Sequence, residues 1–68
     1  MYRRIRDLRE DHDLKQSEVA KIINTTQQQY SKIETGKSEI TADKLIQLSI
    51  LYRTTTDYIL GLSDNPKR

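Results

Sequence analysis

Apolar residues recur three and four apart along this chain, in short stretches bounded by polar turn residues, so the pattern is helical throughout. In residues 2–12 the stripe is thin. Ile5 and Leu8 lie three apart, and Arg9 and His12 continue the line among charges, which predicts a short amphipathic helix. From Gln16 to Ile23 the stripe widens to Val19, Ala20, Ile22 and Ile23. Asn24 then stands where a helix ends in the left-handed conformation that Asn tolerates. Thr26 and Gln29 have the spacing of a capping box: Thr accepts from the backbone N–H three residues on, and Gln reaches back. A third helix therefore starts at Gln27, turns Tyr30 and Ile33 inward and stops at Gly36. Thr41 caps a fourth, with Asp43 in its first turn and Leu45, Leu48, Leu51 and Tyr52 inside. Thr55 caps a fifth, with Asp57 in its first turn, Tyr58 to Leu60 as its apolar content and Gly61 at its end.

No stretch alternates as a strand does, and no segment repeats. The expected fold is all-α: a bundle of five helices with short connections, in one domain over residues 1–62. The tail, 63–68, carries Pro66 and no periodicity and is expected to be mobile.

Length and composition narrow the functions open to such a bundle. Sixty-eight residues make one domain near the lower limit of self-sufficient cores, leaving no room for a second, ligand-sensing domain. Cysteine is absent, which excludes disulfides and thiolate metal sites. No apolar run reaches the length of a signal peptide or membrane span, so a soluble, cytoplasmic protein is expected. The net charge of +2 is too small for a polybasic, sequence-blind nucleic-acid binder. The excess lies in the N-terminal half, where residues 1–37 hold eight Lys or Arg against six Asp or Glu. Catalysis has little to work with. His12 is the single histidine, flanked by Asp11 and Asp13 at the end of the first helix, and Gly36 and Gly61 form no phosphate loop. No enzyme activity, cofactor or metal is expected.

The remaining candidate chemistry is the amide run Gln27-Gln28-Gln29 at the start of the third helix. A glutamine tip carries one acceptor and two donors, matching the N7 and N6 edge of adenine in the major groove. Alone, such a run is more often a solvated helix surface, since Gln is a good helix former. At roughly 100° per residue, inward Tyr30 and Ile33 put Gln28, Ser31, Lys32 and Thr35 on the opposite face. Gln27 lies to one side at the tip, and Gln29 is placed to cap with Thr26 rather than to read a base.

The order of these landmarks resembles the lambda-repressor and Cro-like helix-turn-helix family, also called the xenobiotic-response-element type. The resemblance runs from Ile5 to Gly61. The first-helix pattern is Ile5-Arg6-Asp7-Leu8-Arg9, and the second is Leu14-Lys15-Gln16 with Glu18-Val19-Ala20. The hinge and recognition helix run from Asn24 to Gly36, and the closing segment from Thr54 to Gly61. Departures are Lys15 for the usual Thr or Ser cap, Asn24 for Gly, Ile40 for Pro and Tyr30 for an aliphatic. With Lys15 in that position, Asp13 or water is expected to serve the second helix start.

The resemblance implies a five-helix bundle and an operator-binding regulator on double-stranded DNA. Gln27 and Gln28 would read base edges, with Lys32 one turn on reaching a base or a phosphate. Gln16 would bond a backbone phosphate and help orient Gln27. Lys15, Ser31, Lys37 and Ser38 would touch the DNA backbone. Arg9 and Glu34 would pair to tie the first helix to the end of the third, while Thr26 and Gln29 brace the start of the third. A homodimer on an inverted repeat follows, with Tyr58, Ile59 and Leu62 either its contact surface or core. A repressor located with the nucleoid is the leading expectation. The alternatives are an antitoxin-type autoregulator binding a toxin partner and a helical protein-interaction module without DNA binding.

Overall fold

Five helices form at the expected places. The computed structural model describes residues 2–67, and in it α1 spans Arg3–Asp11, α2 Gln16–Ile22, α3 Gln27–Thr35, α4 Ala42–Leu51 and α5 Thr56–Ile59. Local chemistry fixes most boundaries. Thr26, Thr41 and Thr55 each take extended backbone and accept, through the side chain, from the amides of Gln29, Lys44 and Tyr58, which satisfies one orphan donor per helix start. Gly36 stops α3 at φ 80°, and Gly61 follows α5 at φ 79°. Asn24 takes φ 61° after α2, as its short polar side chain allows.

The start of α2 is built differently from expectation. Lys15 has no acceptor to offer, and the Glu18 carboxylate instead accepts the Lys15 backbone N–H at 2.9 Å. Only the returning half of a capping box is made. Asp13 takes no part in it. Its φ of 55° turns the chain after α1, and its own amide donates to the Glu10 carbonyl at 3.0 Å.

Packing joins α2 to α3 and α4 to α5, with α1 laid across α3 and α5. The core holds Ile5, Val19, Ala20, Ile23, Tyr30, Ile33, Leu48, Tyr52 and Ile59. Leu8, Leu14, Ile40, Leu45 and Leu51 are packed against it. The α2 stripe is narrower than its sequence implied, because Ile22 is 53 % exposed while Val19 and Ile23 on either side are fully buried.

Two long cationic side chains hold distant segments together. Lys44 on α4 donates from Nζ to the carbonyls of Ile23 (2.7 Å) and Asn24 (3.1 Å), satisfying the last turn of α2. Arg4 on α1 lies 4.1 Å over the Tyr58 ring and donates to the carbonyls of Tyr58 and Ser63. It also meets Asp64 at 2.8 Å, and the Thr54 hydroxyl donates to the Pro66 carbonyl at 2.7 Å, so residues 63–66 lie against the body. Among the described residues no helix is long and apolar enough to cross a membrane.

Candidate nucleic-acid interface

The inward end of α3 is organised around one carboxylate. Arg9 donates from Nε to Glu34 Oε2 at 2.6 Å and from Nη2 to Oε1 at 3.3 Å, a fork geometry that fixes both planes. The expected ion pair is therefore present, and it is sequestered: the side chains are 15 % and 2 % exposed. Arg9 also donates to the Leu14 carbonyl at 2.9 Å, so one guanidinium pins α1, the turn before α2 and the last turn of α3. Burial alone would raise the Glu34 pKa. The hydrogen bonds from Arg9 foremost, with the nearby Tyr30 hydroxyl and the bond from Gln16, outweigh it and hold the carboxyl below its usual range. The hydrogen bond to Glu34 likewise raises the Arg9 pKa.

Tyr30 and Tyr52 carry buried hydroxyls with no partner in hydrogen-bonding geometry. The Tyr30 hydroxyl nevertheless lies close enough to Glu34 for each to shift the other's titration. Burial first, and the neighbouring Glu34 carboxylate after it, push the Tyr30 pKa far up and the Tyr52 pKa to about 12. Both rings thus stay neutral inside the core.

The outward side of α3 is the opposite in character. Gln16, Gln27, Gln28, Ser31 and Lys32 line a single groove along α2 and α3. Gln27, Gln28 and Lys32 are exposed, and among the described residues their side chains have no hydrogen-bond or ion-pair partner. Gln16 stands at the boundary between the two environments. One of its Nε2 hydrogens goes inward to Glu34 Oε1 at 3.2 Å, which leaves the other N–H and Oε1 for the groove. No hydrogen bond among the described residues links it to Gln27; Glu34 orients it instead.

Gln29 corrects the capping-box expectation. Thr26 does accept from its amide at 3.1 Å, but the Gln29 side chain donates to Ser38 Oγ at 3.1 Å rather than accepting from the backbone N–H of the cap. It braces the loop after α3, and Ser38 keeps its own hydroxyl proton to donate. Lys15 and Lys37 are exposed at the turns before α2 and after α3, outside the groove.

At the C-terminal helix the candidate dimer residues separate. Ile59 is 1 % exposed and belongs to the core, so it is unavailable to a partner. Tyr58 is half-buried under Arg4, and Leu62 is exposed. His12 caps α1 structurally, its Nδ1 2.8 Å from the Leu8 carbonyl and its ring 4.9 Å from that of Tyr52. Among the described residues no cluster of His, Asp and Glu is placed to hold a metal ion. Lys44 and Arg4 escape sequence reasoning, since their partners lie about 20 and more than 50 residues away and leave no local signature.

Two short helices joined at a left-handed Asn24, the second locked inward by Glu34 and bearing free polar tips outward, define a helix-turn-helix domain. A helix-turn-helix family model matches residues 5–59, and the chain belongs to that family, in its lambda-repressor and Cro-like branch. It is similar to the uncharacterized HTH-type transcriptional regulator YobD of Bacillus subtilis (strain 168), with 38 % identity over 63 residues and 93 % of this chain aligned. That alignment spans 56 % of YobD, so the chain covers little more than half the relative's length. No solved structure matches it.

Proposed function

We propose that this domain is a sequence-specific, double-stranded DNA-binding transcription regulator that works as a repressor on an inverted-repeat operator. The observation that carries the reading is the groove of Gln16, Gln27, Gln28, Ser31 and Lys32. The tips of Gln27, Gln28 and Lys32 are unpaired among the described residues, on a helix whose other face is fixed by a buried ion pair. A reading helix needs both properties: a rigid base, so that each tip holds its register, and free donors and acceptors to match base edges. Entered by its N-terminal end, α3 presents Gln27 and Gln28 to bases, with Lys32 one turn further along. The outward N–H of Gln16, with Lys15, Ser31, Lys37 and Ser38, is suited to phosphate oxygens, which set affinity and salt dependence rather than sequence.

The size of the domain is compatible with two copies on one operator. The longest dimension of the chain is 29 Å, comparable with the ~34–36 Å between half-sites one DNA turn apart. Selection of binding sites from random duplexes tests the reading. An inverted repeat with adenine at positions facing α3 is expected. A selected pool without sequence preference would reduce the domain to backbone binding, and no DNA binding at low salt would remove the function altogether.

A further inference from the structure

One exposed stripe has no role in the core, in the α3 groove or in the Arg9 clasp. On α4, Ile46 is 52 % and Ile50 61 % exposed, and among the described helices α4 alone carries two such exposed large apolar side chains. They stand one turn apart, and Asp43 lies on the same side one turn before Ile46. Arg53, just past the helix end, continues the spacing of three, four and three residues. Asp43 is 74 % exposed and its nearest cation, Lys44, is 3.9 Å away and committed to the carbonyls of Ile23 and Asn24. Arg53 is exposed, without an ion pair among the described residues, and sits at φ 52°, a left-handed conformation that glycine would adopt without strain. The outer face of α4 therefore reads acid, isoleucine, isoleucine, base.

We propose that this stripe is the surface on which a second copy of the chain docks, with the two α4 helices antiparallel about a two-fold axis. The choice of occupant comes from charge. Reversing the stripe exchanges its acidic and basic ends, so an antiparallel copy sets Asp43 against the partner's Arg53 at both ends and stacks Ile46 on the partner's Ile50. A parallel copy would set like charges together. This is the self-complementarity that a two-fold contact requires, in which one patch serves both subunits. The patch is small, so free association is weak and the operator completes it. The proposal rests on the dimeric part of the function proposed above and names the dimer's surface, for which the family resemblance left Tyr58, Ile59 and Leu62 open as either contact or core.

Sedimentation of the whole chain without DNA, over protein concentrations up to about 1 mM, tests it independently of operator binding. Self-association is expected for the wild type. Asp43→Arg and Arg53→Asp should each weaken it by about tenfold or more through like-charge contact, and the double exchange should restore it. Within one chain, Asp43 in the first turn of α4 and Arg53 beyond its end stand at opposite ends of the stripe and form no ion pair among the described residues, so rescue can arise only between copies. Ile50→Lys should abolish association while leaving helix content and melting temperature unchanged. Association untouched by these variants but lost on Leu62→Lys would move the interface to the C-terminal segment and overturn the proposal. So would a wild type that stays monomeric across the range. Neither result bears on whether α3 reads DNA, which the site selection decides separately.

Discussion

The two faces of α3 differ in where their polar groups find partners. On the inner face, Glu34 receives Arg9 and Gln16 beside the buried ring of Tyr30, and its side chain is 2 % exposed. On the outer face, Gln27, Gln28 and Lys32 have no partner within the described residues. A hydrogen bond made inside the chain fixes geometry; one left unmade is available for a ligand. One nine-residue helix thus carries a constructional side and a receptive side, and Gln16 touches both.

The contrast breaks most visibly by removing the carboxylate. Glu34→Ala strands the Arg9 guanidinium in a largely buried position and should cost roughly 3–5 kcal/mol. In a domain this small that lowers the melting temperature by ten degrees or more, read by circular dichroism. Gln28→Ala on the other face should leave the melting curve within about 0.5 kcal/mol of wild type. Equal losses from the two would erase the distinction between the faces.

A smaller effect follows from acid. The Glu34 pKa is depressed in the folded state, so its contribution is fully present above the ordinary glutamate pKa of about 4.3. It disappears as pH falls through the lower folded value. Glu34→Gln should therefore be less stable than wild type at neutral pH, with the gap closing below about pH 4. A gap independent of pH would mean that the carboxylate charge contributes nothing to the clasp.

Thr26→Ala tests the joint between the faces. Loss of the bond to the Gln29 amide should cost about 1 kcal/mol, with denaturant midpoint as the readout. Tyr30→Phe should have the smallest effect, under about 1 kcal/mol, because the hydroxyl it removes has no partner in bonding geometry. A loss above about 2 kcal/mol would instead place that hydroxyl in the Glu34 network.

What was legible in the sequence follows the range of each interaction. The caps at Thr26, Thr41 and Thr55 and the stops at Asn24 and Gly36 are local chemistry, and each stands where the spacing indicated. The Arg9–Glu34 pair spans 25 residues and emerged through family resemblance rather than spacing. The Gln29 side chain has two competing partners, the backbone N–H of its own cap and the Ser38 hydroxyl oxygen, and only tertiary placement of the loop after α3 chooses between them. Ile22 shows the limit of periodicity. It sits at the edge of the α2 stripe, where hydrophobicity is recorded in sequence but the partner that would cover it is not. The left-handed turns at Asp13 and Arg53 carry no glycine to announce them.

In the proposed function the outer face of α3 distinguishes sequences while the inner face only holds it in place. This division is tested most directly by the binding of wild type and Gln28→Ala to a selected operator and to a random duplex at matched salt. The expected result is a loss of about 1–3 kcal/mol on the operator, relaxed preference at one base pair and little change on random DNA. An equal loss on both duplexes would contradict it.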